Sequence, residues 1–82
     1  MSGSHATLDL ETMRADVADV LRVDVEQITD GVNLMDLGLD SIRVMVLAQR
    51  WTEAVGTLVH VAPLAERPEL AAWWRHVSSL AS

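Results

Sequence analysis

Gly38-Leu39-Asp40-Ser41-Ile42-Arg43-Val44-Met45-Val46-Leu47-Ala48-Gln49-Arg50-Trp51-Thr52-Glu53-Ala54-Val55-Gly56 carries the marks of a helix with both ends specified. Asp40 is an N-cap residue, because its side-chain oxygen can accept a backbone N–H from the first turn. Gly56 is a C-terminal breaker, free to take the left-handed backbone on which helices end. Between them, a turn of about 100° per residue gathers Val44, Leu47, Ala48, Trp51 and Val55 into one narrow arc, which must be the buried face. Ile42, Met45 and Val46 fall on the opposite side. The spacing predicts a helix from Ser41 to Val55 with a buried stripe and an apolar patch left over.

Upstream, Leu10, Met13, Val17, Val20 and Leu21 recur at helical spacing behind two cap candidates, Thr7 and Asp9, and Glu11 lies in the first turn, where the helix dipole favours an anion. They predict a first helix from Asp9 to Leu21. From Val23 to Leu39 the periodicity fails, and Gly31 and Gly38 interrupt a series of single apolar anchors: Val25, Ile28, Val32, Leu34, Leu37 and Leu39. A long loop pinned to the core is expected there. A loop of that length in a small domain either contains a short helical turn or serves a function. Downstream, Pro63 suits the first turn of a short third helix, Ala62 to Ala65, and Pro68 the start of a fourth whose stripe is Leu70, Trp73, Trp74 and Val77. With no strand alternation and no repeat, the expected class is all-α: a small four-helix bundle with a long first loop and a short third helix.

The 82 residues suffice for one domain with a modest core. Residues 1–6, small and polar at Met1-Ser2-Gly3-Ser4-His5, read as a cloning remnant or a disordered lead, which leaves 7–82 as a single domain. There is no cysteine, so no disulfide or thiolate metal site is available and any thiol must come from outside. His60 and His76 have no second ligand at a metal spacing and read as surface residues. No apolar run approaches the roughly 18 residues that cross a bilayer, so no membrane partner and a cytoplasmic location are expected.

The net charge of −6 is unevenly spread. Nine acidic residues precede Ser41 against Arg14 and Arg22, whereas three follow it against four arginines, and lysine is absent. Phosphate-backbone binding rests on clustered Lys and Arg, so nucleic acid is excluded as a partner class. Basic protein partners fit such a surface, as does plain solubility.

The chemistry concentrates at Gly38-Leu39-Asp40-Ser41. Gly38 allows a tight turn, Asp40 caps, and Ser41 stands in the first helical turn with its hydroxyl toward solvent. An anion joined there would meet unpaired backbone N–H groups at the positive end of the dipole, worth about 0.3 to 1 kcal/mol when exposed. On these four residues alone, ordinary helix punctuation is the plainer reading. Ile42 and Met45 change the balance. They lie beside Ser41, cannot join the buried arc, and suggest a docking surface unless the third helix covers them; methionine suits a surface that accepts several partners.

Gly38-Leu39-Asp40-Ser41-Ile42-Arg43, continuing through Leu47 to Arg50-Trp51, and Leu64-Ala65-Glu66-Arg67-Pro68 with Trp73, resemble the aryl carrier domains of siderophore-type nonribosomal peptide synthesis. The likeness runs from the first helix to the end. Within the wider acyl and peptidyl carrier superfamily, the Leu-Asp-Ser-Ile-Arg form with a downstream Arg-Trp favours the aryl subgroup. Glu69 stands where the family often has threonine, and the Thr52 to Val61 segment is slightly longer than in some relatives, which leaves the start of the third helix open.

The resemblance implies that a phosphopantetheinyl transferase moves 4′-phosphopantetheine from coenzyme A onto Ser41, with Asp40 presenting the site. It implies an aryl-adenylating ligase that loads an aromatic acid, of the salicylate or 2,3-dihydroxybenzoate type, as a thioester. A condensation or cyclization domain takes the acid onward, and the chain is expected to be a monomer without catalytic or metal residues. Ile42 and Met45, with Val61, Ala62 and Ala65 of the third helix, are the candidates for partner contact, although Val61 and Ala65 fit the core as well. Arg43 is either a solvated charge or a specificity contact. The rivals are an acyl or peptidyl carrier of another pathway and a helical interaction module that is never modified. An enzyme would need a base for Ser41 and the strained Gly-x-Ser-x-Gly elbow, and neither is present.

Overall fold

The computed structural model describes residues 8–81, in which α1 (Leu10–Leu21), α2 (Ser41–Val55), α3 (Val61–Glu66) and α4 (Leu70–Ala81) are joined with no strand among the described residues. The expected bundle, with its long first loop and short third helix, is therefore the observed one. Thr7 and residues 1–6 lie outside the described residues.

Asp9 caps α1, its Oδ1 accepting the Thr12 N–H at 2.8 Å. Hydrogen bonding to Thr12 holds the Asp9 carboxyl below its ordinary pKa. The stability this cap contributes is fully present above the unfolded carboxylate's pKa and is lost as the pH falls through the lower folded value. Arg22 ends the helix in the left-handed region at φ 60°, its N–H turned back onto the Ala18 carbonyl. At the far end of the following loop, α2 begins at Ser41 and ends at Gly56, whose φ of 76° suits the absence of a Cβ.

Two indoles hold the helices together. Trp51 of α2 meets Trp73 of α4 edge to face, ring centroids 5.7 Å apart and planes at 67°, a geometry worth about 0.5 to 1.5 kcal/mol beyond the area it buries. Each buried ring N–H has an acceptor. Trp51 Nε1 donates to Asp16 Oδ2 of α1 at 2.9 Å, and Trp73 Nε1 donates to the Leu64 carbonyl of α3 at 2.8 Å. Arg50 binds the other Asp16 oxygen at 3.2 Å, so the carboxylate that accepts from Trp51 is itself neutralised. Met13, Val17, Leu47, Leu64, Leu70 and Val77 fill the space around the pair.

The long loop is built from two 3₁₀ turns, Val25–Gln27 and Leu34–Leu37. It is stitched by backbone bonds to the first turn of α4 and the residues just before it. The Leu34 N–H donates to the Pro68 carbonyl at 2.8 Å, and the Ala71 N–H, one of the four that a helix start leaves without an internal acceptor, donates to the Asp30 carbonyl at 3.0 Å. On the other side Arg14 reaches from α1 to the Ile28 carbonyl and to Asp30 Oδ1, the latter at 2.7 Å. Ile28, Leu34 and Leu39 are buried as expected, and Val32 and Leu37 are half-buried.

Several expectations need correction. Val25 is not an anchor: it is 45% exposed, because it opens a 3₁₀ turn that leans away from the core. Pro68 does not start α4, since the Glu69 carbonyl accepts the Trp73 N–H and makes Leu70 the first helical residue, while the Pro68 carbonyl is engaged by Leu34. The third helix is one residue longer at each end than expected, and Pro63 sits at its third position, where a missing N–H costs no internal bond. Trp74 is only half-buried. His76 is no plain surface residue: it is half-buried, and its Nε2 is covered without a hydrogen-bond partner among the described residues.

The contrast within the loop is testable. Leu34→Ala removes a fully buried side chain and is expected to cost about 2 to 5 kcal/mol, whereas Val25→Ala stays within about 0.5 kcal/mol. Urea unfolding followed by tryptophan fluorescence measures both.

Candidate functional site

The second 3₁₀ turn is capped at its start by Asn33, whose Oδ1 accepts the Met35 N–H at 3.0 Å, and closed by Gly38 at φ 102°. A side chain at that φ would be strained, which is why glycine stands there. The Leu39 N–H then donates to the Leu34 carbonyl at 3.1 Å, and the Leu39 side chain drops into the core. This plug fixes where Asp40 emerges. The Asp40 Oδ1 accepts the Arg43 N–H at 2.9 Å, its Oδ2 accepts Arg43 Nη1 at 2.8 Å, and its carbonyl accepts the Val44 N–H at 2.9 Å.

Ser41 is therefore the first residue of α2, and it is exposed. Its hydroxyl has no hydrogen-bond partner among the described residues, neither a histidine that would activate it nor a carbonyl that would hold it. Arg43 N–H is taken by Asp40, whereas the N–H groups of Ser41 and Ile42, both exposed residues, belong to those that a helix start leaves without an acceptor inside the helix. A phosphoryl oxygen joined to Ser41 fits this setting, since nothing has to be displaced and the local dipole is favourable.

The expected partner contacts do not form one surface. Ile42 is 72% and Met45 57% exposed, so the third helix does not cover them. Met45 lies on the same side of α2 as Ser41, four residues on, and with Leu58, Val59, Thr52 and Val61 it lines a cleft of about 240 Å³ between α2 and α3. Ile42 instead lines a wider groove of about 1060 Å³ between α1 and α2, in which Val20 and Val46 alternate with charged side chains, Asp40, Arg43 and Arg50 among them. Ala62 and Ala65 are exposed on α3, whereas Val61 is half-buried. Sequence reasoning missed Leu58 (59% exposed) and Met35 (56%). No periodicity marks a loop residue, but two large apolar side chains beside breakers, with no helical stripe to join, were the available signal. It also left open the Asp40–Arg43 pair, although the cap-to-third-position spacing is visible in the sequence.

Among the described residues no group of His, Cys, Asp and Glu could hold a metal ion, and no helix is long and apolar enough to cross a membrane.

Comparison with known proteins shows the family. The model of the phosphopantetheine attachment site family matches residues 11–77. Phenyloxazoline synthase MbtB of Mycolicibacterium paratuberculosis is 45% identical over 75 residues, which are 92% of this chain and 6% of that protein. An isochorismatase of Bacillus subtilis is 38% identical over 72 residues, 88% of this chain and 23% of that protein. Enterobactin synthase component B of Escherichia coli K12 is 47% identical over 49 residues, 60% of this chain and 17% of that protein. The chain thus spans a small part of each of these relatives. No solved structure matches it.

The cap that presents Ser41 can be tested by stability alone. Asp40→Ala is expected to cost about 1 kcal/mol, a fall of roughly 4 to 8 °C in Tm for a domain of this size. Asp40→Asn keeps a capping oxygen and should lose far less in the same calorimetric scan.

Proposed function

The chain belongs to the phosphopantetheine attachment site family, whose cofactor is covalently bound 4′-phosphopantetheine, and we propose that Ser41 is the residue that carries it. The single observation behind this assignment is an exposed, unpartnered hydroxyl at the first turn of α2, inside the matched segment and flanked by exposed apolar side chains. Ser41 Oγ would supply the bond to the phosphate, the N–H groups at the start of α2 would be available to its oxygens, and Asp40 with Leu39 holds the turn in place. The arm, when bound, supplies the thiol that a chain without cysteine lacks. The protein's own part is placement, solvent exposure of the attachment point and recognition by partners.

As cargo we propose an aromatic acid of the salicylate or 2,3-dihydroxybenzoate type, held as a thioester. The Leu39-Asp40-Ser41-Ile42-Arg43 sequence with Arg50-Trp51 supports this, as does similarity to a phenyloxazoline synthase and to a component of enterobactin synthase. The partners in this proposal are a phosphopantetheinyl transferase, an aryl-adenylating ligase and a condensation or cyclization domain of a nonribosomal peptide synthetase, in the cytoplasm. Met45 and Val61, on the Ser41 side of α2, are the contacts best placed to meet a partner that receives the arm.

Incubation with coenzyme A and a promiscuous phosphopantetheinyl transferase is expected to raise the intact mass by one phosphopantetheine, and Ser41→Ala to abolish the gain. A wild-type chain left unmodified where a known carrier reacts would sink the proposal. Met45→Asp is expected to accept the arm normally yet slow transfer to the condensing domain by about tenfold, the effect of losing one well-packed apolar contact; unaltered transfer in single-turnover assays removes Met45 from the interface.

A further inference from the structure

Asp40, the acidic residue next to Ser41, has both carboxylate oxygens taken by one residue, Oδ1 by the backbone N–H of Arg43 and Oδ2 by its guanidinium. The other two arginines with ion pairs among those described connect separate parts of the fold. Arg14, besides a pair with Glu11 inside α1, ties that helix to the long loop through Asp30, and Arg50 ties α2 to α1 through Asp16 and Asp19. The Arg43–Asp40 pair lies within a single helical turn, with side chains 42% and 52% exposed, and joins no two elements. Its contribution to the fold is accordingly small. Its position is not: it places a cation within two residues of Ser41, at the end of a segment with nine acidic residues and only Arg14 and Arg22 to offset them.

We infer that Arg43 is an internal counter-ion that masks Asp40 and so limits how readily basic partner proteins engage the chain beside Ser41. The inference rests on the assignment of Ser41 as the attachment residue. An acidic surface speeds the approach of a basic partner, and the charge nearest the reacting hydroxyl has the largest share in the final alignment. A partner's cation has to compete with Arg43 for Asp40 Oδ2. When it wins, the guanidinium swings into solvent while Oδ1 keeps the Arg43 N–H, so the start of α2 is undisturbed and Ser41 stays in place. Arg43 thus sets specificity without touching the arm.

The test is kcat/KM for modification by a phosphopantetheinyl transferase with coenzyme A, measured on the wild type, Arg43→Gln, Arg43→Lys, Asp40→Asn and the Arg43→Gln/Asp40→Asn double variant from low salt to about 1 M, where screening reaches within roughly 3 Å. The wild-type value should fall with salt. Arg43→Gln should raise it by about two- to fivefold at low salt, the range that opening an exposed ion pair implies, and the gain should vanish at high salt and in the Asp40→Asn background. Arg43→Lys should stay near the wild type. A lowered or unchanged value for Arg43→Gln in a chain that melts normally overturns the inference, as does a gain that survives high salt or the loss of Asp40, or a wild-type rate indifferent to salt. Failure of the wild type to take the arm at all, or its acceptance by Ser41→Ala, is a different result and counts against the Ser41 assignment.

Discussion

The edge-to-face contact of Trp51 and Trp73 is the constraint on which the remainder of the molecule rests, because its hydrogen bonds reach every helix. The rings belong to α2 and α4, and their N–H groups find acceptors on α1 and α3. In a chain this short the core has few layers, and two large rings with satisfied polar edges supply much of what orients it. Once Trp51 points inward, the rotation of α2 about its axis is settled over its whole length. Val44, Leu47 and Ala48 must follow it inside, and Ile42, Met45 and Val46 must stay out. The exposure of Ser41 follows from a tryptophan ten residues away.

The long loop has a different task. A helix start can be displaced along its axis as well as rotated, and the loop removes that freedom. Its two backbone bonds to Pro68 and Ala71, the Arg14 contacts to Ile28 and Asp30, and the burial of Leu34 and Leu39 bring the chain to Asp40 from a fixed direction. Gly38 then makes the turn that a side chain would resist. A connection with so little regular structure would be costly to order, and the cross-links explain how it is nevertheless ordered. They also give a use for its length.

Legibility in the sequence divides along the same lines. The limits of α2 were readable because capping is local: Asp40 and Gly56 announce themselves through their own chemistry, whatever surrounds them. The buried arc was readable because 3.6-residue periodicity is local too, and the outward hydroxyl of Ser41 followed from it. What could not be read depends on bonds between distant segments. Nothing near Pro68 shows that its carbonyl serves Leu34, so the start of α4 is misplaced by two residues. Val25 looks like Ile28 in composition and differs only in which way a 3₁₀ turn faces. Leu58 lies on the link after α2, whose path is set by the Thr52 hydroxyl, a donor to Ala48 and an acceptor from the Val59 N–H, a tertiary detail with no periodic signature. The division of Ile42 and Met45 between two grooves is likewise a product of where α1 and α3 pack.

That division has a physical consequence for a carrier. The residues that position Ser41 are inside and contribute to folding, whereas Ile42, Met45 and Leu58 are outside and contribute little to it. Their apolar surface gains its hydrophobic free energy only when a partner covers it, at roughly 25 cal/mol per Å². Recognition and stability therefore vary through different side chains, and one set can change without unfolding the other. A carrier that is recognised by more than one protein, as proposed for this chain, needs this separation. The two grooves that border α2 differ in chemistry: the smaller, with Met45, Leu58, Val59 and Val61, is almost wholly apolar, whereas the wider one mixes Ile42, Val20 and Val46 with Asp40, Arg43 and Arg50, so they offer different footholds while the position of Ser41 stays constant.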